Sequence, residues 1–95
     1  MSFDSPWGSM VRRIYWTSHA LQRLVERGLV REEVEDVIRL RHAVRALNRG
    51  EADWRLYGDR FDGHTFAVVY DHPVLGDSAA ARIVSVWVLR DGMQR

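Results

Sequence analysis

The alternation of apolar and polar residues predicts two short helices in the first half of the chain. In the first helix, apolar side chains recur at helical spacing between a capping Thr17-Ser18 pair and Gly28, which suits a left-handed helix end. These apolar residues are Leu21, Leu24 and Val25. The second helix is predicted from Arg31 to near Leu40, with glutamates in its first turns that favour the positive end of a helix. Its buried edge is expected to consist of Val34, Val37 and Ile38.

The rest of the pattern predicts β-strands. Residues 11–16 end in an apolar and aromatic run that suits a strand before the first helix. Residues 42–49 fit a continued helix about as well as a short strand, and both alternatives stay open. Three further strands are predicted over 54–57, 65–70 and 81–89, where β-branched and aromatic residues dominate. The last two are nearly continuous apolar runs, which predicts central positions in the sheet.

The order β-α-α-β-β-β predicts an α+β domain. Two helices must cover one face of the sheet, which we expect to be antiparallel with four strands, or five. The length of 95 residues suits one domain, predicted over residues 11–95. Residues 1–10 contain proline, glycine and three serines, so we expect a flexible N-terminal arm there.

Composition narrows the classes of function. The chain has no cysteine, which excludes a disulfide framework, a thiolate metal site and a cysteine nucleophile. No apolar run approaches the ~20 residues that span a bilayer, and no signal-peptide pattern is present, so we expect a cytoplasmic protein with no membrane partner. The four histidines lack the spacing of metal ligands, so neither a metal nor another cofactor is predicted.

The net charge of +1 conceals blocks of alternating sign. Five arginines against one glutamate give residues 11–31 a charge of +4, and the four acids of residues 32–36 give −4. Residues 37–50 return to +4 through four arginines, and residues 51–77 fall to −4. All fourteen basic residues are arginine, whose planar guanidinium suits bidentate contacts with phosphate or carboxylate.

One set of candidate site residues lies on the first helix. His19, Arg23 and Arg27 are spaced by four and therefore line one side of it. Like charges at this spacing are mildly unfavourable unless an anion lies opposite them. Either a phosphate group or the acidic side chains of this chain could be that anion. His19 stands next to the helix cap, where the positive helix end favours the neutral imidazole. It is therefore a candidate general base toward a hydroxyl.

A second set lies on the predicted strands and their turns. His64 follows a turn, and alternation along the strands could aim the other members at one sheet face: Arg55, Tyr57, Ser85 and Arg90. Each has an ordinary structural interpretation as well, such as a half-buried aromatic or a solvated turn. Trp54 and Trp87 are expected in the core, although an exposed tryptophan near arginines could stack on a base. His42 and His72 are given no role.

The first helix and its neighbours resemble a known family. Ser18-His19-Ala20, then Arg23, then Glu26-Arg27-Gly28-Leu29 before an acidic helix, is similar to the opening signature of the DUF4258 family. The closing strands are similar to that family too, and to the related BrnT toxins, so the resemblance covers roughly residues 12–90. The chain departs from the family at His64, where arginine is frequent, and at Ser85, where threonine is frequent.

The resemblance implies a RelE- or barnase-like fold and a metal-independent endoribonuclease toxin, with RNA and a cognate antitoxin protein as partners. Cleavage would proceed by attack of a ribose 2′-hydroxyl on phosphorus, with His19 or His64 as general base or acid and Arg23 at the reacting phosphate. The substrate-binding set would be Arg27, Arg55, Tyr57, Ser85 and Arg90. Pairing of two copies is left open. The alternative is a non-catalytic module that binds protein or nucleic acid, since the net charge is nearly neutral.

Overall fold

The computed structural model describes residues 11–60 and 63–89, and it places two helices on one face of a five-stranded sheet. This confirms the α+β class with two helices. The elements are β1 Arg13–Trp16, α1 Ser18–Glu26, α2 Arg31–Arg41, a 3-10 turn His42–Val44, β2 Ala46–Leu47, β3 Trp54–Asp59, β4 Thr65–Asp71 and β5 Ala80–Val88. No helix of the described residues is long and apolar enough to cross a bilayer. The predicted arm at 1–10 lies outside the described residues.

The strands lie in the order β1-β5-β4-β3-β2. The apolar strands β4 and β5 are therefore interior, as predicted. Three strand pairs are antiparallel, but β1 pairs with β5 in parallel, so the sheet is mixed and the prediction of an antiparallel sheet is wrong for this pair. The backbone N–H groups of Arg12 and Arg13 donate to Ala79 O, which places the starts of β1 and β5 at the same end of the sheet. Side-chain alternation could not have predicted this direction, because its period of two is the same in both kinds of pair.

Helix α1 begins and ends where its local signals predict. The Thr17 hydroxyl accepts a hydrogen bond from Ala20 N–H at 3.0 Å and donates one to Ile83 O at 3.0 Å, which caps the helix and ties its start to β5. At the other end Gly28 has φ +67°, and Leu29 N–H donates to Leu24 O. The caps thereby set the direction in which α1 crosses the sheet.

Residues 42–49 adopt both of the predicted alternatives in succession. Helix α2 ends at Arg41, one residue beyond the predicted end, and the 3-10 turn His42–Val44 continues it. Strand β2 follows and pairs with β3 through Ala46 and Leu47. The short strand β2 is thus an edge of the sheet.

The core lies between the helices and one face of the sheet. Its fully buried members include Ala20, Val34, Ile38, Phe66, Val68, Tyr70, Ile83 and Val86. Because side chains alternate along a strand, the residues between the core positions point away from the helices. We call this other side the open face, and its two central cross-strand rows are Arg55–Val69–Ser85 and Tyr57–Ala67–Trp87.

Candidate nucleic-acid interface

The candidate residues of α1 lie on the helical layer. The helix packs on the sheet through Ala20 and Leu24, and it leaves His19 and Arg27 exposed. Arg23 donates to the Glu26 carboxylate at 2.5 Å, and Gln22 donates to the same carboxylate at 3.0 Å. These hydrogen bonds, from Gln22 first and then Arg23, lower the pKa of Glu26. The anion that Arg23 contacts therefore comes from its own helix.

The end of α1 is held by a residue that the sequence analysis did not select. The Arg60 guanidinium donates to Gly28 O at 3.2 Å and to Arg27 O at 3.4 Å, so a cation lies at the negative end of the helix. Arg60 N–H also donates to His64 O at 2.7 Å. His64 is exposed and lies on this hairpin, near the end of α1, whereas His19 lies at its start. His19 and Arg27 are eight positions apart in the sequence, which is about 12 Å along the helix axis.

Three of the predicted substrate-binding residues share the open face. Arg55 and Ser85 lie in one row, and Tyr57 lies in the next row along β3. Neighbouring strands are ~4.8 Å apart, so the Cα atoms of Arg55 and Ser85 are about 10 Å apart. The Arg55 guanidinium carbon lies 5.8 Å from the centroid of the Tyr57 ring. Arg90 lies outside the described residues.

The structure does not bring the helical and the sheet candidates together. Helices α1 and α2 cover the face that carries Leu56 and Val86, whereas Arg55 and Ser85 point to the opposite side. The sheet therefore separates the α1 candidates His19, Arg23 and Arg27 from those on the open face. Of the two candidate histidines, His64 lies in the hairpin that joins β3 to β4, directly before the first residue of β4, whereas His19 lies at the start of α1.

Arg55 is distinguished from the other arginines of the open face by its lack of a carboxylate partner. Arg13 forms two hydrogen bonds with Asp77, at 2.6 and 2.7 Å, and they lower the pKa of Asp77 to about 2. Arg82 donates to Asp71 at 2.7 Å. Arg55 forms no ion pair with any described carboxylate, and its Nε atom is buried without a hydrogen-bond partner. Its charge is therefore available to an external anion.

Sequence reasoning misplaced Trp87, which was expected in the core. It lies half-buried on the open face, in the same row as Tyr57. The sequence could have predicted this position, because Trp87 is two positions from Ser85 and residues two positions apart on a strand share a face. Tyr15 on β1 adds a third aromatic ring to this side, 48% exposed and paired in register with Arg82.

His42 and His72, which were given no role, lie together on the helical side of the sheet, with His42 buried and His72 partly buried. His42 is 5% exposed, and its Nδ1 atom lies 2.8 Å from the Tyr70 hydroxyl. The His42 and His72 ring centroids are 4.3 Å apart, and the Arg45 guanidinium carbon lies 4.1 Å from the Trp54 ring centroid. Burial, followed by the charge of Arg45, lowers the pKa of His42 to about 4 and also lowers the pKa of His72. Both rings are therefore neutral at pH 7.

Comparisons with known proteins do not assign a family to this chain. A scan against protein-family models found no match, and searches of curated proteins and of solved structures found none either. In the described part of the chain, no group of three or more histidines and carboxylates is arranged to hold a metal ion. The resemblance to DUF4258 domains and RelE-like ribonucleases therefore stays a prediction, which rests on the sequence motifs named above.

Proposed function

We propose that this chain binds single-stranded RNA on the open face of its sheet. The observation that carries the proposal is the state of Arg55, which has no carboxylate partner and lies beside the Tyr57 ring. Guanidinium groups bind phosphate in a bidentate manner, and an aromatic ring that stacks on an unpaired base contributes about 1–3 kcal/mol. Tyr57 and Trp87 would supply the rings, and the Ser85 hydroxyl would be available to a ribose 2′-hydroxyl.

The spacing of these residues suits a strand of unpaired nucleotides. Tyr57 and Trp87 stand two strands apart, with the small and fully buried Ala67 between them. Arg55 and Ser85 occupy the adjacent row, ~7 Å further along the strands. The cationic, hydroxyl and aromatic groups are thus spread over two neighbouring cross-strand rows. This spread supports contact with more than one nucleotide.

A second candidate function, RNA cleavage, is favoured by the position of His64. This exposed histidine precedes Thr65, which pairs with Asp59 in the row next to Tyr57. In the proposed reaction a histidine takes the proton of a ribose 2′-hydroxyl, the 2′-oxygen bonds to the adjacent phosphorus, and the bond from phosphorus to the 5′-oxygen breaks. The 5′-oxygen leaves with a proton that water supplies, and arginine stabilises the charge on the phosphoryl oxygens. This would be the toxin activity that the family resemblance implies, with an antitoxin as its partner.

Arg55→Gln is expected to weaken RNA binding about tenfold, because it removes one charge-assisted contact with phosphate. The measurement is fluorescence anisotropy with a labelled 12-nucleotide RNA at fixed salt, since affinity depends strongly on ionic strength. Arg12→Gln is the matched control, as this exposed arginine lies outside the two cross-strand rows that carry Arg55 and Tyr57. If Arg27→Gln weakens binding while Arg55→Gln leaves it unchanged, RNA binds on the helical layer and the proposal is wrong.

Cleavage is tested on the same RNA in the presence of EDTA. We expect His64→Ala to abolish cleavage and His19→Ala to leave it intact, because His64 directly precedes Thr65 on β4, whereas His19 lies on the helical layer. A 2′-deoxy substitution at the cleaved linkage should prevent the reaction, and the product should carry a 2′,3′-cyclic phosphate. Intact RNA in the presence of protein that binds it would identify a non-catalytic binding module.

A further inference from the structure

An apolar and basic surface lies at the β2 edge of the sheet, on the helical side. We call it the edge patch. Its apolar members are among the most exposed large hydrophobic residues of the described chain, with exposed fractions of 81% for Leu40, 76% for Val44 and 70% for Leu47. Its charged members are Arg39, Arg41, Arg45 and Arg49. Exposed aliphatic side chains that occur together in this way mark interaction sites rather than ordinary surface.

The fold places the apolar members around one corner of the domain. Leu40 lies in the last turn of α2, and Val44 ends the 3-10 turn that continues this helix. Leu47 belongs to the two-residue strand β2, which pairs with β3 and with no other strand of the described residues. A sheet edge next to exposed apolar side chains is a common docking place for a segment of another protein.

The charge of the edge patch is not balanced by the described part of the chain. Residues 37–50 contain four arginines and no acid. Arg39 has one carboxylate neighbour, Glu35 at 3.6 Å. Arg41 donates instead to Tyr57 O, and Arg45 donates to His42 O. No described carboxylate lies within 4 Å of Arg41, Arg45 or Arg49.

We infer that the edge patch docks an acidic segment of a partner protein. Apolar side chains of that segment would cover Leu40, Val44 and Leu47, and its carboxylates would pair with the surrounding arginines. The exposed aliphatic groups favour a protein over RNA, because apolar side chains of a protein segment can cover them, whereas they offer no ring that stacks on a base. The inference is independent of the proposed function, since Arg55 and Trp87 point to the opposite side of the sheet.

The test uses the whole chain labelled with ¹⁵N and a designed peptide. The peptide has 14 residues, with leucine at every third or fourth position among glutamates. We expect it to shift the amide resonances of residues 39–49 and to bind with a micromolar Kd. Two control peptides carry serine in place of leucine, or lysine in place of glutamate, and both are expected to bind at least tenfold more weakly.

Variants of the protein locate the contact. Leu40→Ser combined with Leu47→Ser, and separately Arg49→Glu, are expected to raise the Kd of the peptide at least tenfold. Leu75→Ser is the matched control, because Leu75 is fully exposed but lies outside the edge patch, and it should leave the Kd unchanged. All of these side chains are exposed, so circular dichroism should show an unaltered fold.

Four results would overturn the inference. The peptide with serine in place of leucine could bind equally well, which would mean that charge alone is recognised. The resonance shifts could fall on the open face instead of the edge patch. The resonances of residues 39–49 could move with protein concentration in the absence of peptide, which would identify a second copy as the occupant. Vesicles that contain phosphatidylserine could bind through the same residues while the peptide does not, which would identify a membrane surface.

Discussion

Replacing Gly58 with alanine is expected to lower the free energy of unfolding by about 3 kcal/mol. Gly58 lies on β3, directly beneath α2, and is itself buried. A β-carbon built on it would overlap Val37 Cγ2 and would lie 2.7 Å from Phe66 Cζ. Phe66 is fully buried in the core, so its ring has little room to move away. Urea denaturation, followed by circular dichroism, measures the loss directly.

A matched control and a double variant distinguish steric overlap at Gly58 from the general effect of replacing glycine with alanine. At Gly50 the nearest atom to an added β-carbon is Asn48 Nδ2 at 3.4 Å, so Gly50→Ala should change stability by no more than about 0.5 kcal/mol. Val37→Ala removes the overlapping methyl group and should make Gly58→Ala markedly less costly, as a non-additive pair. If Gly58→Ala unfolds at the wild-type urea concentration, α2 cannot lie on β3 as described.

The helices could be predicted from the sequence because their signals are local. Thr17 and Gly28 bound α1 within a few residues of its apolar stripe, and each acts through its own backbone and side chain. The interior positions of β4 and β5 were also predictable, since strands buried on both sides have continuous apolar runs. Local patterns of this kind need no knowledge of distant contacts.

The direction of β1 and the placement of the site residues could not be predicted in this way. The direction of β1 depends on its pairing with the distant strand β5, and the placement of the site residues depends on which sheet face the helices cover; no single stretch of sequence determines either. His19 and Arg55 each had a chemically sound interpretation, but the helices cover the face opposite to Arg55, so the two residues lie on different layers. The grouping on the open face was easier to predict from the sequence, because alternation and strand register place four residues together. These are Arg55, Tyr57, Ser85 and Trp87.

His42 is the clearest case of a residue whose environment is created by the fold. Its sequence neighbours are polar or small, and nothing in them predicts that it is 5% exposed. The burial arises because the 3-10 turn lies over the end of β4, where Tyr70 provides the hydroxyl 2.8 Å from His42 Nδ1. A buried neutral histidine has a consequence for stability that can be measured.

Stability is expected to fall by about 2–3 kcal/mol between pH 7 and pH 4.5, mainly because of His42. In the unfolded chain this histidine has its ordinary pKa of about 6.5, whereas burial lowers the folded value to about 4. Above pH 6.5 the ring is neutral in both states, so its contribution to stability is fully present. As the pH falls toward 4, the unfolded chain binds a proton that the folded chain cannot accept. His72, whose pKa is also lowered by burial, acts in the same direction.

Urea denaturation at a series of pH values measures how the free energy of unfolding changes with pH. Measurements above pH 4.5 separate the effect of the histidines from that of the carboxylates. Asp77 and Glu26 have lowered pKa values, so their contribution to stability is lost mainly below that range, where the unfolded chain takes up protons before the folded chain does. His42→Gln should flatten the slope because it removes the titrating ring, and it should lower stability at pH 7 because it disturbs the contact with Tyr70. His64→Gln is the control for the loss of an exposed histidine. A wild-type chain equally stable at pH 7 and pH 4.5 would mean that His42 accepts a proton without unfolding, which its buried position does not allow.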